Sequence, residues 1–137
     1  MNPELAEDFI NKNANKILRL FSMYQIIEMM LFSKLFPSNL IPNLDNEGEF
    51  NKFSKSFTSR TLGKMTKEYS KKYPNDECKL LDSLKEITPQ RNMFMHSMWI
   101  LLSVCDNQAE ASRHGEFLIE KFDKRATKLF HTLANKK

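Results

Sequence analysis

Apolar residues recur at three- and four-residue spacing along most of this 137-residue chain, which is the pattern of amphipathic α-helices. The pattern predicts helices over residues 3–33, 49–73, 76–87, 89–105 and 108–133, with a loop around Pro37, Pro42 and residues 43–46. Only three glycines and five prolines interrupt the sequence, which favours long helices over many short strands. We therefore expect an all-α protein in which residues 1–137 form a single domain, an antiparallel bundle of four long helices plus a short helix.

The predicted first helix is apolar on more than one face. Residues 17–36 are nevertheless interrupted by polar side chains, which favours a buried helix over a membrane span: Arg19, Gln25, Glu28 and Lys34. The apolar stripe is widened by Met23, Ile26, Met29 and Met30, and a helix of this kind packs on two sides. We expect a second subunit to cover the second side, with the methionines otherwise filling the core.

Two glycines fall inside predicted helices, where glycine costs up to about 1 kcal/mol relative to alanine. We expect close helix packing or a kink at Gly63 and a bend at Gly115.

The net charge of +4 is unevenly distributed. Residues 48–73 hold seven Lys/Arg against two Asp/Glu, and residues 113–137 hold seven against three. Two basic helices favour binding of a polyanion, although surface lysines also keep proteins soluble.

The two cysteines, Cys78 and Cys105, have no cysteine or histidine at metal-ligand spacing. We therefore expect no metal or other cofactor, and two reduced thiols that serve as small core residues. Residues 1–16 are polar and mixed in charge, unlike a signal peptide. The expected location is cytoplasmic, without membrane association.

The segment that follows Thr88 carries the candidate chemistry. Thr88 and Pro89 predict a helix start, with the threonine as N-cap and the proline at the first helical position. Arg91 then lies in the first turn, where a cation opposes the helix dipole. Free backbone N–H groups beside a guanidinium form a receptor for phosphate. A cation placed unfavourably at a helix start therefore indicates a functional site.

The spacing of the polar residues suggests a homodimer. Asn92 and His96 are four residues apart and share a helix face, which Trp99 and Ser103 extend. Arg91 and His96 are five apart, which is about 140° around an α-helix. Either the long Arg91 side chain wraps round the helix end, or a second copy of the helix supplies the missing group in a two-fold dimer.

Arg91 and His96 suit metal-free cleavage of RNA. A histidine exchanges protons near neutral pH, so His96 can take the proton from a 2′-hydroxyl. Arg91 can hold the phosphate and stabilise the charge that builds as that oxygen attacks. The product is a 2′,3′-cyclic phosphate, and DNA, which lacks the hydroxyl, cannot react in this way.

The segment Arg91-Asn92-Met93-Phe94-Met95-His96 resembles the R-x4-6-H motif of the HEPN superfamily, with four residues between arginine and histidine. A looser similarity extends upstream through residues 61–65 and 80–84. The resemblance implies a HEPN-like fold and a dimer in which two motif copies face each other. It also implies metal-independent endoribonuclease activity in toxin–antitoxin, phage-defence or RNA-processing systems. Within the motif it implies that Arg91 binds phosphate, His96 is the acid/base and Asn92 orients both.

Plainer interpretations remain for each of these residues. His96 can be a satisfied histidine bonded to Asn92 or to a backbone carbonyl. Arg91 can pair with Glu86 at the helix junction. Trp99 can pack in the core or an interface instead of stacking on a base.

Glu28 is the best additional acid in the sequence. It either reaches toward the motif or forms a buried pair with Arg19 or Lys34. The other two histidines, His114 and His131, lie in polar surroundings and are expected to be exposed.

Two other functions stay open at this point. The first is a non-catalytic HEPN module that binds RNA, a nucleotide or a protein partner such as an antitoxin. The second is a helical adaptor or regulator without a nucleic-acid role, whose working surface is the apolar first helix.

Overall fold

The computed structural model describes residues 1–36, 45–58, 61–75 and 80–135, and this part of the chain is helical without strands. The helices are α1 (Pro3–Lys12), α2 (Ala14–Leu35), α3 (Glu47–Thr58), α4 (Leu62–Lys72), α5 (Leu80–Asn92), α6 (Met98–Ser103) and α7 (Gln108–Asn135). A π-helical turn, Met93–Ser97, joins α5 to α6, so that residues 80–103 form one continuous helical segment. The all-α prediction is confirmed. The predicted loop at Pro37 and Pro42, the predicted helix start at residue 76 and Cys78 lie outside the described residues.

The core forms where four of these elements meet. Helix α2 packs against α4 and α7, and α5 packs against the same two helices. Their fully buried side chains include Leu20, Tyr24, Ile27, Leu31, Met65, Leu80, Leu84 and Ala126. Helix α1 packs on α6 and α7, and the Asn2 backbone N–H donates to the Ser103 carbonyl over 2.7 Å, which ties the start of the chain to the end of α6.

The predicted single helix over residues 3–33 is wrong, because α1 ends before Asn13 and α2 begins after it. The Asn13 side-chain amide donates to the Phe9 carbonyl over 3.0 Å, and the Asn13 backbone N–H donates to the same oxygen. Asparagine competes for backbone groups in this way and is a poor interior helix residue. The break lets α1 pack on α6 as well as α7, while α2 packs on α4 and α7.

The predicted single helix over residues 49–73 is also divided. Helix α4 starts after Thr61, whose hydroxyl accepts the Lys64 backbone N–H over 3.2 Å as an N-cap. Gly63 is therefore in the first turn of α4 and not in a helix interior. A Cβ at Gly63 would lie 3.7 Å from Thr88 Cγ2, an ordinary contact distance, so the predicted close packing is wrong there.

The last predicted helix is confirmed and extends two residues further, to Asn135. It runs unbroken through Gly115, where a Cβ would lie 2.4 Å from Phe9 Cε2. Gly115 thus admits the Phe9 ring and lets α1 pack closely on α7.

Candidate functional site

Arg91 lies near the end of α5 and not at the start of a helix. Helix α5 passes through Thr88 and Pro89, and the Thr88 hydroxyl donates to the Leu84 carbonyl over 2.7 Å instead of capping a helix. An interior proline costs roughly 3 kcal/mol, which burial of Leu84 and of the following turns offsets. The predicted helix start is therefore wrong. Arg91 lies in the last turn of α5, so its own helix offers no free first-turn N–H groups beside it, and the cradle predicted there is not formed.

The Arg91 guanidinium is held by Glu28 of α2. Arg91 Nε lies 2.9 Å from Glu28 Oε1, and the two side chains are 22% and 10% exposed. Arg91 Nη1 also donates to Asn92 Oδ1 over 3.4 Å. In the described part of the chain no hydrogen bond involves Nη2, so that edge of the guanidinium is available to a ligand. Of the two interpretations of Glu28, the structure supports the one in which it reaches the motif.

Burial controls the charge of this acid. Removal from water raises the pKa of the Glu28 carboxyl, although the nearby Arg91 guanidinium and its hydrogen bond act in the opposite direction. The ion pair therefore keeps a carboxylate in a site that disfavours its charge.

Tyr24 is a site residue that the sequence analysis missed. It lies one turn before Glu28 on α2 and is fully buried, with its ring 5.6 Å from that of Phe94. Burial raises the pKa of Tyr24, Arg91 lowers it and Asp123 raises it. The hydroxyl has no hydrogen-bond partner among the described residues. The sequence feature that could have indicated Tyr24 is its four-residue spacing from Glu28, which places both side chains on the same helix face.

The π turn changes the relation between Arg91 and His96. The Met98 backbone N–H donates to the Met93 carbonyl, a five-residue hydrogen bond that fits more residues into each turn than an α-helix does. The angle between Arg91 and His96 is therefore smaller than the 140° or so expected for an ideal α-helix. Turns of this kind occur frequently at functional sites.

His96 is exposed within the π turn. Its imidazole makes no hydrogen bond or ion pair with any residue that the structure describes, so the interpretation of a histidine satisfied by Asn92 is wrong for this chain. Asn92 is exposed beside it and contacts Arg91 instead. The structure thus places a fixed, half-buried guanidinium and an unpaired, accessible imidazole in one helical segment.

An apolar groove of about 290 Å³ adjoins this segment. Trp99 packs edge-on against Phe94, with ring centroids 5.8 Å apart, so its predicted packing role is the observed one. The groove lies between α1, α2 and the helical segment of residues 80–103, here called the motif helix. It is lined by Ile10, Ala14, Ile17, Leu18, Phe21, Phe94, Met95 and Trp99. Leu18 and Phe21 are 62% and 42% exposed. Ser103, placed on the polar face by spacing, is buried and donates to the Trp99 carbonyl.

Two other ion pairs considered from the sequence have different partners in the structure. Glu86 forms an ion pair with Arg125 of α7, so the predicted pairing of Glu86 with Arg91 is wrong. Arg19 pairs with Asp123 over 3.0 Å and not with Glu28.

The two remaining histidines and the described thiol lie away from the motif. His114 and His131 are exposed, as predicted, and His114 lies 3.6 Å from Glu110. Cys105 follows α6 and is half-buried against the edge of the core, with its thiol near the Leu101 carbonyl, so the expected core position is confirmed only in part.

Among the residues that the structure describes, no three His, Cys, Asp or Glu side chains are grouped closely enough to bind a metal ion. Within the same residues, no helix combines the length and the apolar character that crossing a membrane requires.

Comparison of the chain with protein-family models, curated protein sequences and solved structures finds no match. The HEPN resemblance therefore remains an expectation drawn from the motif.

Proposed function

We propose that this protein is a metal-independent endoribonuclease of the HEPN type that acts as a cytoplasmic toxin or defence effector. The observation that carries the proposal is the presence, in one helical segment, of an exposed His96 without a hydrogen-bond partner among the described residues and of an Arg91 whose guanidinium is fixed by Glu28. A fixed cation loses little conformational freedom when it binds phosphate, and an accessible imidazole can reach a sugar hydroxyl.

The proposed reaction is transesterification within the RNA backbone. His96 takes the proton from a 2′-hydroxyl, and the resulting oxygen attacks the adjacent phosphorus. The bond from phosphorus to the 5′-oxygen breaks, and that oxygen leaves with a proton, so the products are a 2′,3′-cyclic phosphate and a 5′-hydroxyl. Arg91 Nη2 binds a phosphate oxygen as negative charge grows, while Asn92 and Glu28 hold the guanidinium in place.

A second copy of the chain completes this site. The reaction needs a base for the 2′-hydroxyl and an acid for the leaving oxygen, and the motif of one chain contains a single histidine. His96 of a second copy would supply the second function in a two-fold dimer. The exposed apolar side chains of Leu18 and Phe21, next to the motif helix, support contact at this face.

The bundle expected from the resemblance is part of the same proposal. The closed ring of packing among α2, α4, α5 and α7 supports an antiparallel HEPN-like bundle in which the motif helix is one of the long members. A protein antitoxin that covers the motif would regulate such an enzyme.

Cleavage of a labelled RNA in the presence of EDTA tests the proposal. We expect cyclic-phosphate ends from the unmodified chain, and no cleavage by His96→Ala, whose circular-dichroism spectrum should be unchanged. His131→Ala removes another exposed helical histidine and should cleave normally. An RNA with a single 2′-deoxy substitution at the cleaved linkage should resist. Cleavage that survives His96→Ala would exclude the mechanism.

One observation favours a second candidate, a non-catalytic module that binds RNA or a protein partner. Arg91 already has an acidic partner in Glu28, which neutralises its charge. In that case RNA binding would be salt-sensitive and weakened by Arg91→Ala, and no product would form with any RNA tested.

A further inference from the structure

Helix α7 carries a stripe of four cations that core packing does not explain. Lys121, Lys124, Arg125 and Lys128 are separated by three and four residues and therefore share one helix face. All four are exposed. Like charges at this spacing destabilise a helix, so the stripe costs stability without contributing to the core. Such a departure from local rules marks a candidate functional surface.

Neighbouring acids neutralise only part of the stripe. Arg125 pairs with Glu86 of α5, and Lys124 Nζ lies 3.6 Å from Glu120 Oε1. Lys121 and Lys128 have no acidic partner among the described residues.

The stripe borders a concave surface. A groove of about 330 Å³ lies between α5 and α7, and Lys124, Arg125 and Lys128 line it together with Glu86 and the side chain of Ser83. The charged side chains of the groove comprise three cations and one anion, so the excess is positive. A concave basic surface with a hydroxyl donor suits a phosphodiester backbone, because both the charge and the hydrogen-bonding groups match phosphate oxygens.

We infer that this groove and the adjoining stripe, with Lys121 at its border, form an RNA-backbone binding site, separate from His96, which holds the strand while the motif acts on it. The choice of RNA as ligand rests on the proposed function. Glu86 and Arg91 are both on α5, five residues apart, which is roughly 7.5 Å along the helix axis. The groove contributes to binding and not to chemistry. Glu86 limits its affinity, because its carboxylate occupies Arg125.

Binding of a fluorescent single-stranded RNA to the His96→Ala protein, measured by anisotropy over a range of salt, tests the inference without cleavage. The double variant Lys121→Ala/Lys128→Ala breaks no ion pair of the described residues. It should weaken binding about tenfold near 100 mM salt and lower the salt slope by about 1.4, the value for two lost phosphate contacts. Lys67→Ala/Lys71→Ala on α4 removes the same charge at an exposed site and should change binding little. Glu86→Gln should tighten binding and steepen the slope by about 0.7, because it releases Arg125.

The outcomes separate this inference from the proposed function. If the α7 and α4 double variants weakened RNA binding equally, the stripe would contribute only through the net charge of the protein, and the inference would be overturned. RNA binding that depends on the stripe, in a chain that cleaves no RNA, would support the inference and exclude the ribonuclease. In a chain that does cleave, the α7 variant should raise KM and leave kcat unchanged, and a fall in kcat alone would contradict a binding role. Absence of RNA binding at low salt would overturn both proposals.

Discussion

The Arg91 guanidinium and the Glu28 carboxylate form an ion pair that joins α5 to α2, with Nε and Oε1 2.9 Å apart. Both groups are largely removed from water, so each compensates the buried charge of the other. The pair also fixes the arginine of the candidate site, so that folding and function are linked through one contact.

A double-mutant cycle on this pair should show strong coupling. Arg91→Met leaves the buried Glu28 carboxylate uncompensated, and we expect it to lower the free energy of unfolding by about 2 kcal/mol. Glu28→Gln removes a carboxylate whose charge burial opposes, so it should cost less than Arg91→Met near neutral pH. The double variant should cost clearly less than the sum, because it leaves no unpaired charge, with a coupling of about 1 kcal/mol or more. Urea denaturation measures all three.

The exposed pair of Arg19 and Asp123 is the control for this cycle. Arg19 is 59% exposed and Asp123 is 29% exposed, so solvent screens their attraction. The same cycle on this pair should give a coupling below about 1 kcal/mol. Additive effects at Glu28 and Arg91 would show that the buried pair contributes nothing specific.

The pH dependence of stability should reveal the cost of burying Glu28. Because burial raises the pKa of this carboxyl, the folded chain binds its proton at a higher pH than the unfolded chain does. The unfolding free energy contributed by this group therefore increases as pH falls through the raised pKa and levels off below the ordinary glutamate value. Urea denaturation of the unmodified chain and of Glu28→Gln at several pH values between neutral and mildly acidic measures the difference. The difference should move in favour of the unmodified chain as pH falls, and the opposite trend would mean that attraction to Arg91 outweighs burial.

The membership of the candidate site could be read from the sequence, but its local geometry could not. Arg91, Asn92 and His96 are close in the chain and lie in one helical segment as expected. Glu28 stood out because an acid in an apolar helix needs a partner, although spacing alone left three possible partners open. The continuity of α5 through Pro89 could not be predicted, because the local signal for a helix start is overridden by burial against helices distant in sequence.

The division between α1 and α2 at Asn13 could not be predicted from the sequence either. An asparagine is only a weak helix breaker, and the contact of Phe9 with Gly115, which packs α1 on α7, joins residues more than a hundred positions apart. Hydrophobic spacing reported the type of structure correctly and could not report where long helices divide.

Removal of the Tyr24 hydroxyl should stabilise the protein. The hydroxyl is buried with no hydrogen-bond partner among the described residues, so the folded chain bears its desolvation without compensation. We expect Tyr24→Phe to raise the free energy of unfolding by about 1 kcal/mol in urea. Tyr73→Phe is the control, because the Tyr73 hydroxyl is exposed and donates to the Lys34 carbonyl, so its loss should have little effect. Destabilisation by Tyr24→Phe would indicate that the hydroxyl has a bound partner, such as a water molecule beside Arg91.

Alanine at Gly115 should destabilise the packing of α1 on α7. The new Cβ would lie 2.4 Å from the Phe9 ring, and forced displacement of a buried ring costs about 1–3 kcal/mol, more than the helix propensity gained. Gly63→Ala is the matched control: its Cβ would meet its nearest neighbour, in Thr88, at 3.7 Å, so it should be neutral or slightly stabilising in thermal and urea unfolding. Phe9→Leu should be destabilising alone but should relieve much of the cost of Gly115→Ala when the two are combined. Independent, additive effects of these two substitutions would show that α1 does not pack on α7 through this contact in solution.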